Sequence, residues 1–444
     1  MSLVRKLLFC LVLLGCIGVA QAEAAGITIL RDAETEHDLR TMATPIFKQA
    51  GLVPSNIKFF IVESDEMNSF VAGGQNIFLY TNLILQTSNA AELLGVVAHE
   101  TGHIADGHLF RGARDESHLS AEAILAALLG VAVGIAGHSP DAGIAIGSGG
   151  NSMLTRNFLQ YRRTLEGSAD RAGIRFLQGA GLPVTGFLSF MKKLQTQELL
   201  PESEQSAYLQ THPLTQDRVD ALQHAVDTGP PGKIPQGWNE MHARMVAKLR
   251  GYLYPNRELA IHDNSIATRS GHAVAWLRDD REKKALETLA PLIKAEPENP
   301  FFYELKGQIL YENGHIEESI PPYAEAVKLA PWSGLIRIEY AEALLQSHKD
   351  VKTRLAEAAR QLNLSLETEK RNPASRYLLA VAYGRLGDIG QSRLELAEKA
   401  LLENKKGFAH REAALAKMDL KKGTPAYQRA LDILDLLGHT DKKG

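Results

Sequence analysis

The sequence predicts an α+β fold in two parts: a domain with a small β-sheet and several helices, then an all-α array of stacked helix pairs. Three observations carry this prediction. Two short β-prone stretches, residues 57–62 and 68–80, stand close together, the second folded about Gly73-Gly74. Helical apolar spacing then takes over, with stop signals at Gly179-Ala180-Gly181-Leu182-Pro183 and Gly229-Pro230-Pro231-Gly232. Beyond residue 263, small and aromatic residues recur at an interval of 34 positions. A chain of 444 residues has room for two or three such units, and its net charge of −3 argues against a nucleic-acid binder.

The first 22 residues differ from the rest. Arg5 and Lys6 precede an apolar run from Leu7 to Leu14, and Ala20-Gln21-Ala22 has the small-x-small form of a cleavage site. Residues 1–22 are therefore expected to be a signal peptide that exports the protein. Leu13-Leu14-Gly15-Cys16 is the rival, a lipidation site that would keep Cys16 as an anchored N-terminus. Both cysteines, Cys10 and Cys16, lie in this segment, so cleavage after Ala22 leaves no thiol for a disulfide or a metal. Residues 26–49 have helical spacing through Leu39, Met42, Ile46 and Phe47. The strand at 57–62 follows, and the hairpin at 68–80 leads straight into a further helix. Such a hairpin either fixes topology alone or offers an edge on which an extended peptide pairs through backbone groups.

That further helix opens with Asn89-Ala90-Ala91-Glu92 as a capping box and carries Leu94, Val97, Ala98 and Ile104 as its apolar residues. Within it stands His99-Glu100-Thr101-Gly102-His103. Four helical residues turn about 400°, so His99 and His103 project from one face with Glu100 beside them. Two imidazoles placed this way hold a zinc ion with a position left for water, and the carboxylate takes the water's proton. A motif this short also arises by chance on a surface helix. A metzincin would require glycine at 106 and histidine at 109, where the chain has Asp106 and Leu109, so that pattern fails. The inverted order H-x-x-E-H is absent here too.

From Ala123 to Gly137 no residue is charged, and Gly143, Gly147, Gly149 and Gly150 follow. This run is shorter than the roughly 20 residues a membrane span requires. Residues 121–150 are thus a core helix with a loop, or a lid that touches the membrane or covers the site. A second helix is expected from about Arg156 to Gln178, with Glu166 and Asp170 on one face. Glu166 is the candidate third ligand, and Asp170 the candidate acceptor for the far nitrogen of a ligand histidine. The alternative is a solvated acidic face paired with Arg162, Arg163 and Arg171. In Thr211-His212-Pro213, the proline is expected to start a helix carrying Val219 and Leu222, leaving His212 outside regular structure. His212 is then a plain loop residue, a reversible extra zinc ligand, or an oxyanion donor with Arg218 steadying the tetrahedral intermediate.

In the C-terminal part Pro297 and Pro331 keep the interval of 34, as do Ala285 and Ser319. Tyr303, Gly307, Tyr311, Gly314, Tyr323 and Ala326 match the small and aromatic positions of a tetratricopeptide helix pair. Ala273, Trp276 and Ala285 fit a copy before it; Ala380, Tyr383, Gly387 and Ala397 fit one after a longer unit over 332–372. Stacked pairs of this kind form a curved surface suited to peptides or partner proteins. The expected division is 1–22 signal peptide, 23–228 metallopeptidase domain, 229–262 linker and connecting helix, and 263–437 repeats.

Taken together, His99-Glu100-Thr101-Gly102-His103 and Glu166-Gly167-Ser168-Ala169-Asp170, preceded by Asn68-Ser69-Phe70-Val71-Ala72, resemble the CAAX-prenyl-protease/HtpX family of gluzincin metallopeptidases. With the export signal and the repeats, the chain is similar to the periplasmic branch of that family. The resemblance implies one Zn2+ held by His99, His103 and Glu166, Glu100 as general base, Asp170 supporting a ligand, and His212 and Arg218 in the active site. It implies an endopeptidase acting in outer-membrane protein assembly and quality control by degrading misassembled proteins. Its repeats would engage the outer-membrane assembly machinery, with peripheral membrane association. The alternative is mainly a chaperone or assembly factor with a latent, self-inhibited protease site.

Overall fold

The computed structural model describes residues 20–22, 27–107, 152–198 and 206–440. Five strands form one sheet in the order β1-β2-β3-β5-β4: β1 (Ala20–Ala22), β2 (Ile27–Leu30), β3 (Lys58–Val62), β4 (Ser69–Ala72) and β5 (Asn76–Tyr80). β3 and β5 run parallel and every other neighbouring pair antiparallel, which leaves β4 on an edge. Side chains alternate across the sheet. Phe59, Ile61, Ile77 and Leu79 enter the core, while Phe60, Phe70 and Phe78 stack on the opposite face.

The core face is covered by α1 (Ala33–Gln49) and, past α2 (Thr81–Gln86), by α3 (Ala90–Ala105). Asn89 caps α3 by accepting from the Glu92 amide, and Glu92 accepts from the Ser88 amide in return. α3 is buried on nearly all sides, so it serves as the central post of the domain. Against it lie α4 (Ser152–Gly179) and α5 (Thr185–Glu198). The approach of α3 to α4 depends on two glycines. A Cβ on Gly102 would stand 2.5 Å from the Ala169 carbonyl oxygen, and one on Gly173 would stand 3.1 Å from the Ala98 backbone. The short α6 (Ala207–Thr211) and α7 (Gln216–Thr228) close the domain.

Several local expectations change. Residues 26–49 are not one helix: Ile27–Leu30 is the strand β2, and Asp32 caps α1 by accepting from the Thr35 amide. β-branched Ile27, Thr28 and Ile29 favour pairing over helix. The hairpin does not run straight into α3, because α2 intervenes and buries Leu83 and Ile84. Pro213 does not start a helix; α7 begins at Gln216 after Thr215. The expectations for residues 1–19 and 121–150 lie outside the described residues, and β1 falls within the segment expected to be cleaved. No helix among the described residues is long and apolar enough to cross a membrane.

The stretch after residue 228 is mostly helical, as α8 (Trp238–Leu253) and α9 (Pro255–Leu259). Met245 and Leu249 of α8 enter the core of the first domain, and Asn239 accepts from the Ala90 amide at the start of α3. Five helix pairs follow: α10 (Ile266–Arg278) with α11 (Glu282–Ala295), α12 (Pro300–Glu312) with α13 (Ile316–Leu329), α14 (Gly334–Gln346) with α15 (Val351–Thr368), α16 (Pro373–Leu386) with α17 (Ile389–Leu402), and α18 (Lys406–Asp419) with α19 (Pro425–Thr440). Gly307 is required where it stands, since a Cβ there would meet the Tyr323 ring at 2.8 Å. The array folds back onto the sheet domain. Arg31 bridges Glu36 (2.6 Å) and Glu369 (2.7 Å), Lys58 donates to the Thr368 carbonyl, and Trp332 stacks on His37.

Candidate metal centre

The seven residues singled out in the sequence meet at one buried point. α3 supplies His99, Glu100 and His103, α4 supplies Glu166 and Asp170, His212 follows α6, and Arg218 lies in the first turn of α7. His99 Nε2 is 3.1 Å from His103 Nε2, 3.2 Å from His212 Nδ1 and 3.3 Å from Glu166 Oε2. His212 Nδ1 is 3.0 Å from Glu166 Oε2, and His103 Nε2 is 3.5 Å from Glu166 Oε1. One ligand atom from each of these four residues lies within 4.8 Å of all the others. Tetrahedral zinc with ligands at about 2.1 Å sets donor atoms about 3.4 Å apart. The donor set fits such an ion in both chemistry and spacing.

The hydrogen bonds around the cluster fix which nitrogens face it. His99 Nδ1 is 2.8 Å from Asp170 Oδ1, and His212 Nε2 is 3.1 Å from the Ser69 carbonyl oxygen. Carbonyl and carboxylate oxygens only accept, so both nitrogens donate, and in the neutral imidazoles that a metal takes as ligands the lone pairs of His99 Nε2 and His212 Nδ1 face the cluster. Asp170 is itself gripped by Arg218, through Nε at 2.5 Å and Nη2 at 2.9 Å. Arg218 Nη1 donates to the Pro213 carbonyl at 2.8 Å and lies 3.3 Å from Glu166. Its guanidinium therefore stands behind the ligand side chains, facing Asp170.

Electrostatics favour positive charge at this point. Burial alone would lower the pKa of His99, but hydrogen bonds and charge from Asp170 and Glu166 raise it to about 9. Burial opposes the charge on Glu166 as well, yet His212 and His99 hold its carboxyl far below the usual range. Asp170 is likewise depressed against its burial, by Arg218 and then His99.

Glu100 is fully buried beside the ligands. Its Oε1 accepts from Ser69 Oγ at 2.5 Å, and its Oε2 has no hydrogen-bond partner among the described residues. β4, the edge strand, thus touches the centre through Ser69. Sequence reasoning gave Ser69 no role of its own, although it lies in the quoted stretch before the motif helix. Tyr208 was missed as well: its ring stacks on His212 at 4.6 Å and backs the imidazole. A lone tyrosine carries no motif, so only the fold discloses it.

The sequence pattern of peptidase family M48 matches residues 32–226. The chain is 26% identical over 383 residues to the beta-barrel assembly-enhancing protease of Escherichia coli (strain K12), covering 84% of this chain and 76% of that protein. It is 25% identical over 374 residues to the putative beta-barrel assembly-enhancing protease of Vibrio cholerae, covering 82% and 75%. Metalloprotease LoiP of Escherichia coli (strain K12) matches 192 residues at 26% identity, covering 43% of this chain and 70% of that protein. Residues 32–226 are thus a metallopeptidase domain of peptidase family M48, in a chain similar through its helical repeats to the beta-barrel assembly-enhancing proteases.

Proposed function

We propose that the chain is a zinc-dependent endopeptidase of the periplasm that degrades misassembled outer-membrane proteins, with its site closed by His212 until substrate or a partner displaces it. The observation that carries this reading is the clustering of His99, His103, Glu166 and His212 ligand atoms at 3.0–3.5 Å along five of their six pairings. His99, His103 and Glu166 would hold one zinc ion. Zinc held there supplies a Lewis acid that polarises the scissile carbonyl and lowers the pKa of water towards about 7. Glu100 takes the proton of the attacking water on Oε2 and passes it to the leaving amine as the peptide C–N bond breaks. Asp170 fixes the His99 tautomer, and Arg218 keeps Asp170 ionised and aimed.

His212 stands where water or a substrate carbonyl has to enter, which supports its role as a reversible fourth ligand. The names of the relatives support outer-membrane β-barrel proteins as substrates, and the leader-like residues 1–22 support export. The helix pairs from residue 263 would dock the assembly machinery, with the domain division drawn from the sequence and any membrane association peripheral.

Glu100→Gln tests the chemistry: it should keep zinc and lose cleavage of unfolded casein by at least 10³-fold. His212→Ala tests closure and should raise the rate several-fold; a fall would transfer His212 to transition-state stabilisation, and no change would remove it from the site's chemistry. The burial of His212 on Tyr208 also favours a second reading, a chaperone with a largely silent protease. Rescue of envelope defects by the Glu100→Gln protein would select that reading, and failure to rescue would select the protease.

A further inference from the structure

We infer that Ser69 is a positioning residue for the peptidase reaction, tying down one oxygen of Glu100 so that the other is presented to the attacking water. The inference rests on the reading of Glu100 as the general base. A carboxylate at the end of three rotatable bonds can turn either oxygen, or neither, toward a water molecule. A base acts in its reaction only when a lone pair is held in line with the proton it removes.

In this chain the choice is made by the edge strand. Ser69 has no exposed surface, its hydroxyl carries a single proton, and Glu100 Oε1 accepts it at 2.5 Å. Oε2 is equally buried and makes no hydrogen bond among the described residues. Buried carboxylate oxygens without partners are uncommon, and one beside a metal-ligand cluster has an evident occupant in the attacking water. The strand that holds Ser69 is itself fixed: Asn68 Oδ1 accepts from both the Ser69 amide and Thr211 Oγ1, and the Tyr80 amide donates to the Asn68 carbonyl. Ser69 thus links the edge strand of the sheet to the base, and its hydroxyl needs no contact with substrate to act.

Ser69→Ala removes the hydroxyl and keeps the strand. With labelled unfolded casein and the full chain, kcat should fall about tenfold while KM stays within twofold. Zinc affinity, measured by chelator competition, should stay within twofold, because no ligand is touched. The infrared carboxylate stretch of Glu100, isolated by subtracting the Glu100→Gln spectrum, should shift in Ser69→Ala. Ser69→Thr, which keeps the hydroxyl on a β-prone residue, should restore both kcat and the stretch. If Ser69→Ala does not fold, Ser69→Cys carries the same comparison through a weaker donor of similar shape. Unchanged kcat and stretch in Ser69→Ala, failure of Ser69→Thr to restore them, or a fall in zinc affinity that accounts for the lost activity would each overturn the inference. An active Glu100→Gln protein would instead overturn the reading of Glu100 as the base, whatever Ser69→Ala does.

Discussion

Asp170 accepts from His99 Nδ1 and from two nitrogens of Arg218, so one buried carboxylate orients a candidate ligand and neutralises a buried guanidinium. Asparagine has nearly the same shape but offers one acceptor oxygen and no charge. Asp170→Asn should weaken zinc binding about 10- to 100-fold, read by chelator competition. It should also destabilise the protein by about 3 kcal/mol, because the buried Arg218 loses the charge of the carboxylate that grips it through two nitrogens and keeps only Glu166 at 3.3 Å. Unchanged affinity would mean that Asp170 serves packing alone. At this scale the sequence was informative where the chemistry is local. The i, i+4 spacing on a helix placed His99 with His103, and Glu166 with Asp170, before any tertiary structure was known. It was silent where a partner comes from a distant element, as with Ser69 against Glu100 and Tyr208 against His212, since nothing in the intervening residues encodes those distances. For Arg218 the type and position were legible, but the direction of its guanidinium, toward Asp170, was set by the packing of α7 on α4.

The helices α3 and α4 carry every proposed metal ligand except His212, and their separation is set by Gly102 and Gly173. Helix propensity alone would make Gly102→Ala stabilising by about 1 kcal/mol. The contact outweighs it: the new Cβ would lie 2.5 Å from a backbone oxygen of α4, and neither helix can yield locally because Gly102 and Ala169 are both buried at the contact. Overpacking of this kind costs about 1–3 kcal/mol. Gly102→Ala should therefore lower the melting temperature and reduce bound zinc together, as α4 moves Glu166 away from His99 and His103. Gly407, near the start of α18, has nothing within 4 Å of its Cβ direction. Gly407→Ala should raise stability by about 0.5 kcal/mol and leave zinc unchanged. If Gly102→Ala behaves like Gly407→Ala in calorimetry and metal analysis, the glycines do not set the spacing. Element types were readable wherever a periodic pattern was long, which covers α3, α4, the hairpin and the first helix pairs. They failed for short pieces: Ile27–Leu30 was absorbed into a helical pattern and α2 into the hairpin. The α18–α19 pair was not separated from the preceding copies, because the buried apolar residues of α18 are the small alanines Ala409, Ala413 and Ala416.

The two halves of the molecule meet through ion pairs as well as apolar packing, and the ion pairs were not visible in the sequence, where Arg31 and Glu369 lie 338 residues apart. Arg31, Glu36 and Glu369 form one bridge; Lys248 holds Asp32 at 2.7 Å and Glu34 at 3.0 Å, and Arg244 joins Glu34 to Glu296. Asp38 lies beside this second group, buried and with Oδ2 unpartnered among the described residues. Burial first, and then the charge of Glu34, push its carboxyl up to about 7 against the opposing pull of Arg244 and Lys248. Glu304 and Glu339, from the helix-pair array, are raised in the same direction by burial and by neighbouring carboxylates. An acid whose pKa is raised in the folded state binds more protons there than in the unfolded chain, where it titrates near 4. The resulting stabilisation is fully present below about pH 4 and is lost as pH rises through about 7. For Asp38 this amounts to about 1.4 kcal/mol at pH 6 and nearly nothing at pH 8.5. Asp38 alone should therefore lower the melting temperature of the full chain by about 1.5 °C over that interval. Asp38→Asn removes one of the titrating groups and should make the decline shallower by that amount, with Glu339, pushed up to about 8, carrying the remainder, whereas the depressed Asp32 and Glu369 act only at lower pH and leave this window untouched. Parallel melting curves for wild type and Asp38→Asn across pH 6 to 8.5 would show that the junction does not sense pH through Asp38.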